Sequence, residues 1–430
     1  MLLRRVLAPS LNETTVSPPL ASPRQRWRRG SSPHAVIIVE NMTVPPDRRV
    51  WQQALALRDD GWRVTVITPQ VGRHTTPRET IEGIQIRRHA LPCEARGLLS
   101  YILEYGSALT LEATNLVDIG LDDIDIVQIC NPPDFLFMPA LLAKRFGNAR
   151  IIFDHHDLTP ELLLSKIKSP TVERVLMPFA RWAQSETFKA ADRVISTNQA
   201  FRDIAMDHGK ERGTTDVVYS GPDLERLRIV PANPALRKGA DILLFWVGIM
   251  GSQDGLDLLI DALALLHNHP QAKDQPSFHL LIAGSGPERE AAEAYAHECG
   301  VADLITFAGF LTGDELAEAF ATADIGIGSD PKNSFNDRLA MNKVMEYMAY
   351  SVPTAMFDLT ECRRIAGEAA IYAMSNEPSH LAEAIRQLLV SPQTRVEKGA
   401  VGRKRIEEIF AWAHQKETYL NVYRDLLSAS

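Results

Sequence analysis

The chain has 430 residues, more than one hydrophobic core usually serves, so two or three domains are expected. Hydrophobic residues make up 45% and charged residues 23% of the chain, as in an ordinary soluble globular protein. The formal net charge of −8 excludes a general affinity for nucleic acid. No apolar run approaches the roughly 18 residues of a membrane span.

Two further features of composition bear on context. Residues 1–32 are rich in Pro and Ser and contain six arginines against the single acidic residue Glu13. This composition predicts a disordered N-terminal extension, and an organelle transit peptide stays open as an alternative. The cysteines at 93, 130, 299 and 362 are dispersed without metal-binding spacing and are therefore expected to be buried free thiols.

The first half of the chain alternates strands and helices. Residues 34–40 form a predicted strand, the loop 41–47 leads to a helix over 48–57, and a second strand covers 63–68. This βαβ opening predicts a parallel sheet. No GxGxxG follows the first strand, so the fingerprint of nicotinamide-type dinucleotide binding is absent. Further strands are predicted at 84–87, 124–129, 150–153, 193–197 and 216–219, with helices at 98–118, 135–145 and 172–190.

Two acidic motifs in this half invite a metal interpretation. Asp123-Ile-Asp125 resembles the metal-binding DxD of some glycosyltransferases, but it lies at the entry of a strand, whereas ligands collect beyond the carboxyl ends. The loop 154–161, with the sequence DHHDLTPE, follows the carboxyl end of a strand. Adjacent histidines on extended backbone point apart, which disfavours a shared metal. A structural histidine and a His156 that faces a substrate cleft both remain open.

The helix predicted at 172–190 carries apolar side chains on one side and basic ones elsewhere. Core packing is the expected role of the apolar side. A membrane-facing amphipathic helix is the alternative.

The second half repeats the alternation after a linker at 229–235. Strands are predicted at 242–247, 278–283, 304–307, 323–328, 354–357 and 371–373, and a last helix at 402–427 is expected to pack back across the domain junction. Glycines follow two of these strands, at Gly248 and Gly251 and at Gly284 and Gly286, where they permit close backbone approach to a ligand. Two doubly wound domains with a cleft between them suggest a small-molecule enzyme.

The stretch 333–349, with the sequence NSFNDRLAMNKVMEYMA, is the most informative part of the chain. Its apolar side chains at 341, 344, 345 and 348 have helical spacing and predict an inward stripe. Asn342, Lys343 and Glu346 would then share another side of the helix. A helix N-terminus with a cation attracts phosphate, and a carboxylate one turn deeper can accept both hydroxyls of a ribose. The alternative is a solvated Lys343–Glu346 ion pair.

These motifs, in this order, resemble those of the GT-B fold glycosyltransferases of family 4. The matching segments are GSGPER at 284–289, FAGF at 307–310, AD at 323–324, NKVMEYMA at 342–349 and SVP at 351–353, and the loop after His156 resembles the substrate-facing histidine loop of the family. The resemblance covers residues 34 to 427. It implies an α/β fold of GT-B type, with two Rossmann-like doubly wound domains facing an inter-domain cleft. The implied domains are an acceptor domain at 33–225, a nucleotide-sugar domain at 236–401 and a C-terminal helix at 402–430.

The chain departs from the family pattern at three positions. Arg338 stands where the first glutamate of the usual Glu-x7-Glu pair is expected, and only Glu346 is present. The two cations that usually clamp the diphosphate are replaced by Ile249 and Asp254. These changes move the expected cationic role to Lys343, helped by Arg338. The pattern resembles a branch found among bacterial polysaccharide enzymes.

The resemblance implies a retaining glycosyltransferase that moves a sugar from a nucleotide diphosphosugar to a saccharide or lipid-linked acceptor. The implied catalytic residues are His156 and Lys343. The implied donor-binding residues are Glu346, Asn342, Arg338, Gly248, Gly251, Gly284 and Gly286, and Asp47 and Arg48 lie on the acceptor side. No metal and no cofactor are expected, and the protein is expected in the cytoplasm, with peripheral contact at the inner membrane face left open. The alternatives are a nucleotide-sugar 2-epimerase type of isomerase and a non-catalytic nucleotide-sugar-binding regulator.

Overall fold

A computed structural model of the chain describes residues 32–90, 98–166, 170–270 and 275–428. The N-terminal extension predicted to be disordered lies outside these residues, apart from residue 32, and so does Cys93. Cys130 and Cys362 are buried free thiols, as the sequence predicted, whereas Cys299 is a free thiol that is only partly buried.

The first half of the chain forms an eight-stranded sheet in the order β3-β4-β2-β1-β5-β6-β7-β8. Its strands are β1 (His34–Val39), β2 (Arg63–Pro69), β3 (Arg78–Ile81), β4 (Ile84–His89), β5 (Ile126–Cys130), β6 (Arg150–His155), β7 (Arg193–Ser196) and β8 (Thr215–Val217). The helices between them are α1 (Arg48–Asp59), α2 (Leu98–Ile119), α3 (Phe137–Gly147), α4 (Thr159–Lys166), α5 (Pro170–Ala190) and α6 (Gln199–Asp207). The central strands are continuous apolar runs because helices cover both faces of a parallel sheet.

The second half forms a six-stranded, all-parallel sheet in the order β11-β10-β9-β12-β13-β14. Its strands are β9 (Ile242–Ile249), β10 (Phe278–Ser285), β11 (Ile305–Gly309), β12 (Ile325–Gly328), β13 (Thr354–Phe357) and β14 (Ala370–Ala373). Its helices are α7 (Leu256–His267), α8 (Arg289–Glu298), α9 (Gly313–Thr322), α10 (Asn342–Ala349), α11 (Thr360–Ala366), α12 (Pro378–Val390) and α13 (Pro392–Arg405).

Both sheets reverse their strand order once, and this confirms the predicted fold class of two doubly wound domains. The reversal lies between β1 and β5 in the first sheet and between β9 and β12 in the second. Ligands of such sheets bind in the crevice beyond the carboxyl ends of the strands at this point. The residues that follow β1, β5, β9 and β12 are therefore the ones to inspect for a site.

The C-terminal part of the chain differs from the single helix predicted over 402–427. Helix α13 continues to Arg405, a π-helix covers Ile406–Phe410, and α14 (Trp412–Ser428) begins after a break at Ala411. The backbone N–H of Trp412 donates to the carbonyl of Pro222, so the break lies against the connection between the two sheets. No glycine or proline marks this break, because a tertiary contact produces it.

Helix α14 belongs to the core of the first sheet, where Tyr419 and Tyr423 are fully buried. The rings of Trp62 and Tyr423 meet edge to face, with centroids 5.2 Å apart. Strand β8 ends at Val217 and β9 begins at Ile242. We therefore retain the domain limits of 33–225 and 236–401, with the last helix on the first domain, as a proposal.

Two further predictions need correction. The sequence analysis missed β3, which pairs antiparallel with β4 at the edge of the sheet. Core packing for the apolar side of α5 holds for only part of the helix. Phe188 is fully buried, whereas Val175, Phe179 and Trp182 are 66%, 53% and 46% exposed. Within the described residues, no helix combines the length and apolarity needed to cross a bilayer.

Candidate active site

The two histidines that follow each other at the end of β6 occupy different environments. His155 is fully buried, and its ring lies against those of Phe153, Phe188 and Phe201 at centroid distances of 4.7 to 5.3 Å. Burial lowers the pKa of His155 to about 3, so the ring is neutral. His155 therefore supports the core. His156 lies beyond the strand, and its backbone N–H donates to Asn131 Oδ1 at 2.7 Å.

His156 belongs to a buried charge cluster with Asp154 and Arg49. His156 Nε2 lies 2.9 Å from Asp154 Oδ2, and Arg49 Nη2 lies 2.7 Å from Asp154 Oδ1. Arg49 also donates to the carbonyl of Val218 at 2.7 Å. The His156 side chain is 10% exposed, while the carboxylate of Asp154 is fully buried. The cluster thus presents one imidazole edge to the cleft over a fixed anion.

The charges of this cluster set its protonation. Burial lowers the pKa of His156, but the adjacent Asp154 carboxylate outweighs it and raises this pKa well above the ordinary value. Burial raises the pKa of Asp154, but Arg49 and His156 outweigh it and lower that pKa. The raised pKa favours a protonated His156, whose Nε2 lies 2.9 Å from Asp154 Oδ2 and 3.2 Å from Arg49 Nε. Cys130 lies close enough to complete a metal triad with Asp154 and His156, but the Arg49 guanidinium already compensates the same carboxylate.

The cluster is anchored to the C-terminal helix by a chain of hydrogen bonds. Gln53 Nε2 donates to Asp154 Oδ2 at 2.6 Å, and Gln128 Nε2 donates to Gln53 Oε1 at 2.8 Å. The hydroxyls of Tyr419 and Tyr423 donate to Gln128 Oε1 at 2.8 and 2.7 Å. Since every step is buried, α14 fixes the position of Asp154 in a low-dielectric environment where such bonds are strong.

The two residues predicted on the acceptor side have different roles in the structure. Asp47 caps α1, because its Oδ1 accepts from the backbone N–H of Val50 at 3.0 Å. Arg48 reaches the other domain, and its Nη2 lies 2.6 Å from Glu346 Oε1. The Arg48 side chain is 72% exposed and that of Glu346 is 17% exposed. The ion pair spans the cleft between the carboxyl ends of the two sheets.

Helix α10 confirms the predicted apolar stripe, with Val344, Met345 and Met348 in one buried cluster and Met341 packed beside it. Lys343, however, is 9% exposed, so it does not lie on an open face. Its Nζ lies 2.8 Å from Asp330 Oδ2, 3.8 Å from Asp254 Oδ1 and 4.7 Å from the centroid of the Trp246 ring. The single charge of the lysine therefore lies between two carboxylates at the N-terminus of α10 and compensates them only in part.

Asp254 is the more weakly compensated of these two carboxylates. Burial raises its pKa to about 6, the charge of Lys343 opposes this effect, and the charge of Asp330 adds to it. Its Oδ2 accepts from the backbone N–H of Gly251 at 3.0 Å. Asp254 occupies the position at which the family resemblance places a cation, and it holds the turn after β9 instead.

Arg338 also contacts the first domain. Its Nη1 lies 3.5 Å from Glu161 Oε1, and Asn198 Nδ2 donates to its carbonyl oxygen at 2.9 Å. Together with the Arg48–Glu346 pair, these contacts connect the two walls of the cleft. Asn342 is the first residue of α10, where the helix presents unpaired backbone N–H groups.

The glycines after β9 and β10 allow two turns to pack against each other. Gly284 has φ +125°, and a Cβ on it would lie 1.8 Å from the carbonyl oxygen of Gly248. A Cβ on Gly286 would lie 2.4 Å from the carbonyl oxygen of Met250. Gly251 donates to Asp254, as described above. Gly284 and Gly286 therefore require glycine for backbone packing, whether or not a ligand approaches, whereas a Cβ on Gly248 or Gly251 would meet only the side chains of Trp246 and Gln253.

Sequence reasoning missed Arg49, Asp330 and Trp246. Arg49 and Gln53 are four residues apart and share a helix face, so this polar pair among the buried residues of α1 was a usable signal. Asp330 lies two residues after the end of β12, at the reversal point of the sheet. Nothing in the sequence indicated that Lys343 would lie over Trp246, because that contact joins residues almost a hundred positions apart.

Comparison with known proteins agrees with this geometry. Residues 47–226 match the family described as Glycosyltransferase Family 4, and residues 241–391 match Glycosyl transferases group 1. A 2-deoxystreptamine glucosyltransferase of Streptomyces kanamyceticus is 25% identical over 271 residues, which are 60% of this chain and 66% of that protein. The chain thus spans less than two thirds of the length of the first curated relatives it matches.

Solved structures resemble the whole fold. A sucrose-phosphate synthase from Thermosynechococcus elongatus has a TM-score of 0.73 at 18% identity, covering 93% of this chain and 100% of that one. Anabaena HepE in complex with UDP and glucose has a TM-score of 0.66 at 14% identity, covering 91% and 99%. The two matched segments cover the two doubly wound sheets, except for β1, which precedes the first segment. The chain therefore belongs to the GT-B glycosyltransferases that combine a family 4 segment with a group 1 segment.

Proposed function

We propose that the protein is a retaining glycosyltransferase that moves a sugar from a nucleotide diphosphosugar to a saccharide or lipid-linked acceptor, in polysaccharide or glycoconjugate biosynthesis. One observation carries the proposal. Glu346, on the helix after the reversal point of the second sheet, and Arg48, beside the His156 cluster of the first sheet, meet across one cleft at 2.6 Å. A donor on one wall and an acceptor on the other would react there.

The donor diphosphate would lie at the N-terminus of α10. Departure of the nucleoside diphosphate develops negative charge, and fixed N–H donors and a nearby cation stabilise that charge most strongly in the transition state. The backbone N–H groups at Asn342 and the ammonium of Lys343 are the donors at this point. Lys343 already pairs with Asp330 and Asp254, so part of its charge is committed to the protein. Glu346 would accept the ribose hydroxyls after leaving Arg48.

The acceptor would lie against the first domain. Asp154 raises the pKa of His156 well above its ordinary value, so the imidazole would present a protonated edge toward the cleft. Such an edge would donate a hydrogen bond to a hydroxyl of the transferring sugar and orient it. The buried Arg49–Asp154 pair would hold the imidazole in that position, so that its orientation need not be fixed anew at each turnover.

The likeness to HepE bound to UDP and glucose supports a nucleotide donor for this chain as well. The test is a thermal-shift screen of the full chain against UDP, GDP, ADP and their sugars, followed by turnover of the best donor with and without saccharide acceptors. We expect one nucleotide family to raise the melting temperature, and transfer to require an acceptor and to preserve the anomeric configuration. Conversion of a nucleotide sugar without any acceptor would instead identify an isomerase. Binding without turnover on any acceptor would identify a regulator.

We also propose that the protein contacts an anionic membrane surface through α5. Val175, Phe179 and Trp182 are exposed, and the last two rings stack with centroids 5.5 Å apart. Exposed basic residues flank them, at 174, 181 and 189. An apolar patch with a basic border is suited to the interface of an anionic bilayer, where a peripheral enzyme meets a lipid-linked acceptor.

Vesicle co-sedimentation tests this contact. Binding should require anionic lipid, weaken with salt and fall in a Phe179→Ala/Trp182→Ala double variant. The matched control is Phe310→Ala, which removes a 72% exposed ring from the other domain. Absence of binding at low salt would contradict the membrane contact and leave the glycosyl transfer proposal untouched.

A further inference from the structure

A second buried cluster lies in the first domain, away from the His156 cluster, and none of the arguments above uses it. Its members are Glu40, which follows β1 directly, His89, the last residue of β4, and Glu112 on α2. They are 7%, 4% and 0% exposed. One ligand atom of each lies within 4.8 Å of the others. The cluster joins the cleft-facing end of the sheet to the helix that covers it.

Most polar side-chain atoms of this cluster contact one another and have no hydrogen-bond partner outside it among the described residues. Both carboxylate oxygens of Glu112, Oε2 of Glu40 and both ring nitrogens of His89 are buried without a well-formed hydrogen bond to any described residue. His89 Nε2 approaches Glu40 Oε2 to 3.0 Å, which is the closest contact within the group. Buried polar groups are nearly always satisfied in native proteins, so such a concentration of unsatisfied ones indicates a ligand.

The charges also need a counterion. The nearby Arg88 does not supply it, because its guanidinium binds Thr43, the carbonyl of Val44 and Glu79. Two adjacent buried carboxylates cannot both ionise without compensation. Either one carboxyl group keeps its proton, or a cation lies between the two. The first alternative agrees with the pKa of Glu112, which burial and the charge of Glu40 raise.

The donor set and spacing fit a metal ion. Ligands about 2.1 Å from a tetrahedral Zn²⁺ lie about 3.4 Å from each other. His89 Nε2 and Glu40 Oε2 lie 3.0 Å apart, slightly closer than this value, and one ligand atom of each of the three residues lies within 4.8 Å of the others, so small side-chain movements suffice. One imidazole with two carboxylates is a donor set for Zn²⁺ and Mn²⁺, whereas Mg²⁺ and Ca²⁺ prefer oxygen alone. We propose that Glu40, His89 and Glu112 bind a divalent transition-metal cation of the Zn²⁺ class.

The position of the cluster indicates what such an ion would do. Glu40 precedes the loop 41–47 that leads to Arg48, and Arg88, beside His89, holds Thr43 and Val44 of the same loop. A cation that ties Glu40 and His89 to α2 would fix the base of this loop at the acceptor side of the cleft. The role is structural support of the loop, and it does not depend on the identity of the donor or acceptor.

The test is Zn²⁺ binding to the full chain after treatment with EDTA and desalting. Calorimetry should show one tight Zn²⁺ per chain, and Mg²⁺ at the same concentration should give no heat. Free Zn²⁺ at about 100 times its Kd should raise the folded-to-unfolded ratio about 100-fold and therefore the melting temperature. Amide hydrogen exchange in residues 41–47 should slow when Zn²⁺ is added.

Three variants make the result specific. Glu112→Gln should fold, because the substitution removes a buried charge, and should bind Zn²⁺ at least 10-fold more weakly than the wild type. If Glu112→Gln fails to fold, His89→Gln provides the same test. Glu298→Gln, at an exposed position of the other domain, should behave like wild type. Cys130→Ser should keep the ion. The absence of stoichiometric Zn²⁺ in the wild type would overturn the proposal. Loss of the ion in Cys130→Ser together with its retention in Glu112→Gln would also overturn it, because the ion would then belong to the Asp154–His156 cluster.

Discussion

The ion pair between Arg48 and Glu346 allows a sharp test of the donor site, because its two members should respond in opposite directions. If Glu346 binds the ribose of the donor, Arg48 competes with that ligand for the same carboxylate. Glu346→Gln should then weaken nucleotide binding, whereas Arg48→Ala should leave it unchanged or strengthen it.

The magnitudes follow from the exposure of the two side chains. Arg48 is 72% exposed, so its ion pair is a solvent-screened one, worth about 0.2–1 kcal/mol. Removing this competitor should tighten nucleotide binding by at most about 5-fold. A hydrogen bond to a charged group contributes about 1.5–3 kcal/mol and one to a neutral group about 0.5–1.5 kcal/mol. Replacing the Glu346 carboxylate by an amide should therefore weaken binding by about 5- to 10-fold.

The assay is calorimetric titration of both single variants and the double variant with the nucleoside diphosphate that stabilises the wild type. Arg226→Ala provides a matched control, since Arg226 is a half-exposed arginine outside the cleft contacts described above. Equal losses of affinity in Arg48→Ala and Glu346→Gln would refute the reasoning. That outcome would make the pair a connection between the domains rather than a contact that the donor displaces.

Three further outcomes are expected from the same structure. His156→Ala should reduce turnover in steady-state kinetics, while calorimetry should show a nearly intact affinity for the nucleoside diphosphate. A parallel fall of folding stability and activity would instead identify a structural histidine. The folded-state pKa of Asp254 is raised to about 6, so the unfolding free energy of the wild type, measured by urea denaturation, should fall by on the order of 2 kcal/mol as the pH rises from about 4 to 6. The exposed control Asp207→Asn should show the same loss, and Asp254→Asn should not. Tyr423→Phe should cost about 1 kcal/mol of unfolding free energy by removing one of the two bonds to Gln128 Oε1, and an unchanged stability would show that Tyr419 alone holds that oxygen.

The fold could be read from the sequence because its signals are local. Continuous apolar strands such as 278–283 and glycines directly after them mark parallel sheets, and the ends of the predicted strands lie within two residues of the observed ones. The break at Ala411 could not be predicted in this way. It arises where Trp412 donates to Pro222, a contact between distant parts of the chain that leaves no periodic signature.

The site was only partly predictable for the same reason. The sequence placed Lys343 and Glu346 on one helix and His156 in a loop after a strand, and the structure brings Glu346 to Arg48 across the cleft. Which carboxylates surround Lys343 depends on the ends of β9 and β12, and only the folded sheet brings Asp254 and Asp330 together. The amphipathic pattern of α10 predicts that its apolar side faces inward and therefore that Lys343 is exposed. In the structure Lys343 is buried.

We propose above that the N-terminus of α10 with Lys343 binds the diphosphate of the donor. The most direct measurement compares the affinities of a nucleoside diphosphate and the corresponding monophosphate for wild type, Lys343→Ala and the exposed control Lys404→Ala. One charge-assisted bond contributes about 1.5–3 kcal/mol, so the account predicts that the advantage of the diphosphate falls about 10- to 100-fold in folded Lys343→Ala and is unchanged in Lys404→Ala. An undiminished preference for the diphosphate in Lys343→Ala would contradict the account and leave Lys343 as the counterion of Asp330 and Asp254.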